Sequence, residues 1–179
     1  MKNILSLVIT LVLLFGMSCV DQADKADLKA LKSKQHVEEH NKQVIQKYWE
    51  GKWNERRPEI LDECQTPDVL YHGSSMSMTG RDAYKAVYQS YLSALHNTHL
   101  EIEELIADGD RVVSRCLLTG VHAGELEGLP PTGKTIETQM FTVFRLVNGK
   151  IAEEWEIMDE LGFMLQLGME LRLKEPAAE

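Results

Sequence analysis

The segment Asn148–Gly168, NGKIAEEWEIMDELGFMLQLG, decides the fold of this chain because it joins a hairpin, a strand and a helix. Asn-Gly at 148–149 is a strong hairpin turn, since both residues tolerate a positive φ. The residues that follow alternate with the period of two that is typical of a strand. The segment therefore predicts an antiparallel strand that ends at Asp159 and leads directly into a hydrophobic helix.

Asp159 is the first candidate catalytic residue. In regular alternation it shares one strand face with Ile151, Glu153, Trp155 and Ile157. A carboxylate beside such apolar groups is poorly solvated and suits acid or base work near neutrality. The alternative is structural, because an Asp directly before a helix also serves as its N-cap.

The rest of the chain changes from helical to strand periodicity. Apolar residues at helical spacing predict a helix that Gly51 ends, a short helix opened by Trp53 and Asn54, and a longer helix over Gly80–Leu95. A short strand is expected at 68–72, and four long strands at 100–107, 111–122, 135–147 and 150–159. This order predicts an α+β fold in which a curved antiparallel sheet wraps around N-terminal helices.

The first residues have the composition of an export signal. Lys2, a short apolar run and small residues before Cys19 predict a signal peptide over 1–18 and a lipid on the Cys19 thiol, as in bacterial lipoproteins. An ordinary signal peptide or an uncleaved anchor is the alternative. Charged residues 19–35 then predict a lipidated tether, followed by the domain at 36–171 and a flexible tail at 172–179. The expected location is extracytoplasmic, on a bacterial membrane.

Net charge restricts the partners. The formal charge of −9 becomes −10 without residues 1–18, because Lys2 is the only charged residue among them. This excess of acidic residues argues against nucleic-acid binding and against attraction to anionic lipid. It leaves the lipid on Cys19 as the expected membrane contact. Cys64 and Cys116 could form a disulfide or remain buried thiols. No spacing of His and Cys predicts a metal site.

Two histidines join Asp159 at strand ends. His72 ends the first strand, and His122 ends another in Gly-Val-His-Ala-Gly. If these ends converge at one mouth of the sheet, the three side chains would form a proton-transfer site, although each histidine could equally be structural. The predicted apolar pocket wall consists of Trp53, Tyr91, Met140, Phe144 and Trp155.

The order of these motifs resembles the SnoaL-like polyketide cyclase family, also called ester cyclases. The resemblance rests on Trp53-Asn54, Tyr71-His72-Gly73, the Gly120-x-His122-x-Gly124 turn, Pro131-Thr-Gly-Lys134, Phe144-Arg145 with Asn148-Gly-Lys-Ile151, and Trp155 with Asp159 and Gln166-Leu-Gly168. It implies the cone-shaped α+β fold shared with nuclear transport factor two and ketosteroid isomerase. It also implies a homodimer formed through the sheet face that does not hold the cavity.

The same resemblance implies a chemistry. Family members close a ring by intramolecular aldol condensation without a metal or organic cofactor. Transferred by position, Asp159 would be the acid/base, and His122 would orient the substrate or polarise its carbonyl. Isomerase relatives place their base near His72, where a histidine departs from their carboxylate.

The leading hypothesis is therefore a cofactor-independent cyclase that removes a proton next to a carbonyl of a small hydrophobic substrate. A lipid-anchored protein that binds a hydrophobic ligand without turnover is the alternative. An epoxide hydrolase or an isomerase is a weaker alternative. It is kept because this fold hosts several activities.

Overall fold

A long N-terminal helix opens the chain. The computed structural model describes the backbone of residues 2–172 and the side chains of residues 24–172, so most of the expected tail lies outside the described residues. Helix α1 spans Lys2–Trp49. The expected tether at 19–35 is thus helical, because its many Ala, Lys, Leu and Gln residues have high helix propensity. The chain divides into two compact units between Val37 and Glu38.

The sequence predicts that the first helix ends at Gly51, but the chain continues there as a wider helical turn. After α1, residues Glu50–Asn54 form a π-helix, in which the Glu55 N–H donates to the Glu50 carbonyl at 2.9 Å. Gly51 lies against Ile60 so closely that a Cβ atom would overlap it. Glycine therefore allows the two segments to pack, instead of ending the helix. Three more helices follow: α2 at Ile60–Cys64, α3 at Arg81–Ala94 and α4 at Glu160–Leu167.

One curved, unclosed sheet of six strands completes the fold. The strands are β1 at Gln65–His72, β2 at Ser77–Thr79, β3 at Leu95–Asp108, β4 at Arg111–His122, β5 at Thr135–Val147 and β6 at Lys150–Met158. Their order across the sheet is β2-β1-β6-β5-β4-β3. The α+β prediction is confirmed, including the antiparallel meander from β3 to β6. Sequence reasoning missed β2 and the parallel pairing of β1 with β6.

The end of α1 packs on the sheet through aromatic rings. Tyr48, Trp49 and Phe144 form a cluster of tilted and edge-to-face rings with centroids 5.1–5.8 Å apart. Cys64 and Cys116 are buried free thiols, which decides between the two alternatives for them. Among the residues with described side chains, no helix is both long and apolar enough to cross a membrane.

Candidate active site

A β-bulge decides which carboxylates of β6 point inward. Arg145 pairs with Glu153, whereas the next residue of β5, Leu146, pairs with Ile151, so Ala152 is an extra residue in β6. An extra residue reverses the alternation of faces beyond it. Ile151 is buried as expected, but the residues that follow have exchanged faces.

The predicted inward face beyond Ile151 is therefore wrong. Glu154 is fully buried and Glu156 is only 9 % exposed, whereas Ile157 is 67 % exposed. Regular alternation had placed Ile157 with Asp159 against the core. The bulge leaves no signature in the sequence, because acidic and apolar residues occur on both faces of this strand.

A largely apolar cavity lies between α3, the π-helix and the concave sheet face. The cavity and the open solvent space at its mouth together measure about 770 Å³. Three of the predicted wall residues line it, namely Trp53, Tyr91 and Met140. Further aromatic and aliphatic walls come from Tyr71, Met78, Val87, Tyr88, Leu95, Leu118, Met158 and Phe163.

Two predicted wall residues lie elsewhere. Phe144 is fully buried in the ring cluster with Tyr48 and Trp49. Trp155 lies on the opposite face of β6, where it stacks on His72 with ring centroids 5.4 Å apart. The bulge at Ala152 explains the displacement of Trp155.

Two carboxylates line the cavity, Glu156 and Glu160, and Glu156 is the buried one. Its Oε1 accepts a hydrogen bond from the Tyr71 hydroxyl at 3.0 Å, and its buried Oε2 has no partner among the described residues. Burial and the nearby Glu156 and Glu154 carboxylates raise the pKa of Tyr71, so its hydroxyl keeps the proton that it donates. Tyr71 therefore orients Glu156 and leaves the second oxygen available to a ligand.

Glu154 lies behind the cavity wall in a network of tyrosines. It accepts hydrogen bonds from the Tyr48 hydroxyl at 3.1 Å and the Tyr84 hydroxyl at 3.2 Å. Burial raises the pKa of Glu154 to about 7; the Lys52 ammonium opposes this shift and the Glu156 carboxylate adds to it. The carboxyl group can therefore exchange a proton near neutrality.

Lys52 is a buried cation beside this network. It is 4 % exposed, lines the cavity and donates a hydrogen bond from Nζ to the Tyr84 hydroxyl at 2.6 Å. Five aromatic rings surround the Nζ, with centroids 4.8–5.9 Å away. Aromatic faces attract a cation. The five rings belong to Tyr48, Trp49, Trp53, Tyr84 and Tyr88. Sequence reasoning missed Lys52, because a lysine near a helix end is ordinarily solvated.

The Asp159 side chain acts as a helix cap in this structure. It is exposed, and its Oδ1 accepts a hydrogen bond from the Gly162 N–H at 2.8 Å. It does not belong to the residues that line the cavity. The capping alternative thus accounts for its position, and its proposed role as acid or base receives no support from this geometry.

His122 and His72 occupy two further, separate settings. His122 is fully buried; its Nδ1 accepts a hydrogen bond from the Thr132 N–H at 3.3 Å, and its Nε2 has no partner among the described residues. The Nε2 of His72 lies 3.1 Å from Glu153 Oε1. Neither ring lines the cavity, so the expected convergence of Asp159, His122 and His72 there is not observed.

No group of three or more His, Cys, Asp or Glu side chains among the described residues has the geometry to hold a metal ion.

Sequence comparison places this site in a known family. A profile of the SnoaL-like polyketide cyclases matches residues 43–167, which include Lys52, Glu154 and Glu156. The chain belongs to the SnoaL-like polyketide cyclase family. The aklanonic acid methyl ester cyclase DnrD of Streptomyces peucetius is 30% identical over 128 residues, which cover 71% of this chain and 87% of the relative.

Two further proteins are similar to this chain. The nogalonic acid methyl ester cyclase of Streptomyces nogalater is 30% identical over 123 residues, covering 65% of this SnoaL-like chain and 89% of the relative. The solved structure of TsrD from Streptomyces laurentii has a TM-score of 0.65 and 26% identity, with 72% of this chain and 95% of that chain covered. The fold expected from the sequence is thereby confirmed.

Proposed function

We propose that this SnoaL-like protein is a cofactor-independent cyclase of the ester-cyclase type, in which Glu156 removes a proton next to a carbonyl of a small hydrophobic substrate. The observation that carries the proposal is the unpartnered Oε2 of a carboxylate within an apolar cavity. A general base must reach the proton that it abstracts. Glu156 is buried and keeps one oxygen without a partner, whereas Glu160, the other carboxylate of the cavity wall, is half-buried and accepts a hydrogen bond from the Ser75 hydroxyl at 3.1 Å. Glu156 thus takes the role that the family resemblance assigned to Asp159.

The reaction follows from this arrangement. Glu156 Oε2 takes the α-proton, and the electrons of the C–H bond form an enolate. The enolate carbon attacks a second carbonyl of the same molecule, so that a carbon–carbon bond closes the ring and the carbonyl π bond breaks to an alkoxide. The alkoxide then recovers the proton from Glu156. Apolar walls exclude water and keep these charges close to the groups that stabilise them.

The test compares two carboxylates on the same chain. The probes are aklanonic acid methyl ester and nogalonic acid methyl ester, because cyclases named for these esters are 30% identical to this chain. Glu156→Gln is expected to reduce the rate of cyclisation by about 10²–10⁴-fold, the usual contribution of a general base. Asp159→Asn keeps a good N-cap and should retain most of the activity.

The reverse result would support Asp159 as the base, as the family resemblance implies. If Asp159→Asn abolished cyclisation and Glu156→Gln left it intact, Glu156 would not be the base. Thermal unfolding of both variants controls for loss of the fold.

A non-catalytic protein that binds a hydrophobic ligand is the second candidate. The capping position of Asp159 and the apolar lining of the cavity favour it. It predicts that the same esters bind to the wild type, as measured by quenching of tryptophan fluorescence, and are recovered uncyclised. Cyclisation that is lost in Glu156→Gln would contradict it.

A further inference from the structure

The π-helix introduces two neighbouring polar groups into the cavity. Lys52 and Trp53 are consecutive residues, both are at least nine-tenths buried, and both line the cavity that Glu156 lines from β6. A wider helical turn of this kind is often found at functional sites. In this turn, it brings a cation and an indole N–H to the same apolar space.

Lys52 retains hydrogen-bonding capacity. An ammonium group has three N–H donors. Among the described residues, the structure gives the Lys52 Nζ one hydrogen bond, to the Tyr84 hydroxyl at 2.6 Å. The surrounding aromatic faces attract the cation but supply no conventional acceptor atom. Further N–H groups are therefore available to an acceptor on a ligand.

Trp53 supplies an unused donor. Its Nε1 is buried without a partner among the described residues. A buried N–H without an acceptor is unfavourable, so a ligand oxygen that accepts from it is favoured. The ring itself is fixed edge-to-face on Tyr88 at 5.7 Å, and the Trp53 carbonyl accepts a hydrogen bond from Thr98 at 2.7 Å.

We infer that Lys52 and the Trp53 indole N–H form an oxyanion site, which binds the enolate or phenolate oxygen of an aromatic or dicarbonyl ligand. The inference rests on the proposed function, because Glu156 creates the enolate. When Glu156 takes the α-proton, the carbonyl oxygen acquires the negative charge. Lys52 and Trp53 stabilise that charge by hydrogen bonds and keep their own protons. Such stabilisation is worth most in an apolar, water-poor site.

A probe with no α-proton tests this site separately from the base. 4-Nitrophenol carries its negative charge on a phenolate oxygen, and the phenolate absorbs at longer wavelength than the phenol. 4-Nitroanisole is its uncharged analogue. In the wild type, the bound nitrophenol should be phenolate at a pH where most of the free probe is still protonated. A bound probe that remains neutral at that pH would overturn the inference.

Two variants test whether Lys52 and Trp53 bind the phenolate oxygen of the probe. Lys52→Met should weaken nitrophenolate binding about ten- to a hundredfold, and Trp53→Phe about three- to tenfold, as expected for charged and neutral hydrogen bonds. Both should bind 4-nitroanisole within about twofold of the wild type. Lys47→Met, which removes a half-exposed lysine from its ion pair with Glu63, is the matched control and should leave both affinities unchanged.

The outcomes also separate this inference from the proposed function. Equal loss of both probes in Lys52→Met would show that the lysine only holds the fold, and unchanged nitrophenolate binding would show that it binds no anion; either result overturns the inference. Glu156→Gln removes a negative charge and should strengthen nitrophenolate binding. If Glu156→Gln retained cyclisation, the proposed role of Glu156 as base would fail, while the oxyanion site would still stand on the results for Lys52→Met and Trp53→Phe.

Discussion

At the scale of single residues, the two buried glutamates of β6 have different tasks. Glu156 has one oxygen held by Tyr71 and one free for a ligand. Glu154 has both oxygens engaged by tyrosine hydroxyls. The second glutamate is therefore better suited to tune the charge of the site than to reach a substrate.

Glu154 should make stability depend on pH. Its pKa is about 7 in the folded protein and 4.5 ordinarily, so the folded state holds the proton to higher pH. The stability from this group is full below pH 4.5 and is lost as the pH rises through about 7. Glu154→Gln removes the titration, so the free energy of unfolding of the wild type should fall relative to that of the variant over this window.

Urea unfolding across that pH window measures the difference. The exposed Glu101→Gln should show the same slope as the wild type, because its carboxylate lies on the surface. A wild-type slope identical to that of Glu154→Gln would contradict the raised pKa.

Sequence patterns found some of these residues and not others. The apolar spacing of α3 and β5 predicts Tyr91 and Met140 as pocket residues, and both line the cavity. Trp155 was misplaced because one extra residue, Ala152, reverses the strand face, and a bulge depends on pairing with β5. Lys52 was missed because its burial follows from the π-helix and from packing against α3, which adds the Tyr84 and Tyr88 rings to the three aromatic rings near Lys52 in the sequence.

At the scale of elements, α4 depends on its cap. Asp159 accepts from the Gly162 N–H, and a Cβ atom on Gly162 would overlap the Asp159 carboxylate. At the other end, Gly168 adopts a positive φ of 96° and closes the helix. Because the helix carries Phe163 into the cavity wall, its stability supports the site.

Asp159→Ala should lower the free energy of unfolding by about 1 kcal/mol, since alanine cannot accept the capping hydrogen bond. Asp159→Asn should cost only a few tenths of that amount, because asparagine is a comparable cap. Chemical denaturation of the two variants measures both effects. Equal destabilisation by alanine and asparagine would contradict the capping role.

At the scale of the whole molecule, the convex sheet face carries exposed apolar side chains. Phe141 pairs across the strands with Ile157, and the two are 48 % and 67 % exposed. We propose that this face forms the homodimer that the family resemblance implies. Ile157→Lys should then convert a dimer to a monomer in sedimentation velocity experiments. A wild type that sediments as a monomer at high concentration would refute the dimer.

Anchoring by Cys19 is also a prediction for the whole molecule. We propose that a lipid on this thiol holds the domain at an extracytoplasmic membrane surface. Cys19→Ser should move the protein from the membrane fraction to the soluble fraction of a bacterial host. Cys64→Ser is the control, because that thiol is buried in the domain. Membrane retention of Cys19→Ser would argue against the lipid.

The central claim is that the inward face of β6, and not the strand end at Asp159, holds the base. The most direct measurement is incorporation of deuterium from D₂O at the α-carbon of aklanonic acid methyl ester, followed by mass spectrometry. The account predicts exchange by the wild type and Asp159→Asn, with a loss of about 10²–10⁴-fold in Glu156→Gln. Undiminished exchange in Glu156→Gln, together with its loss in Asp159→Asn, would contradict it.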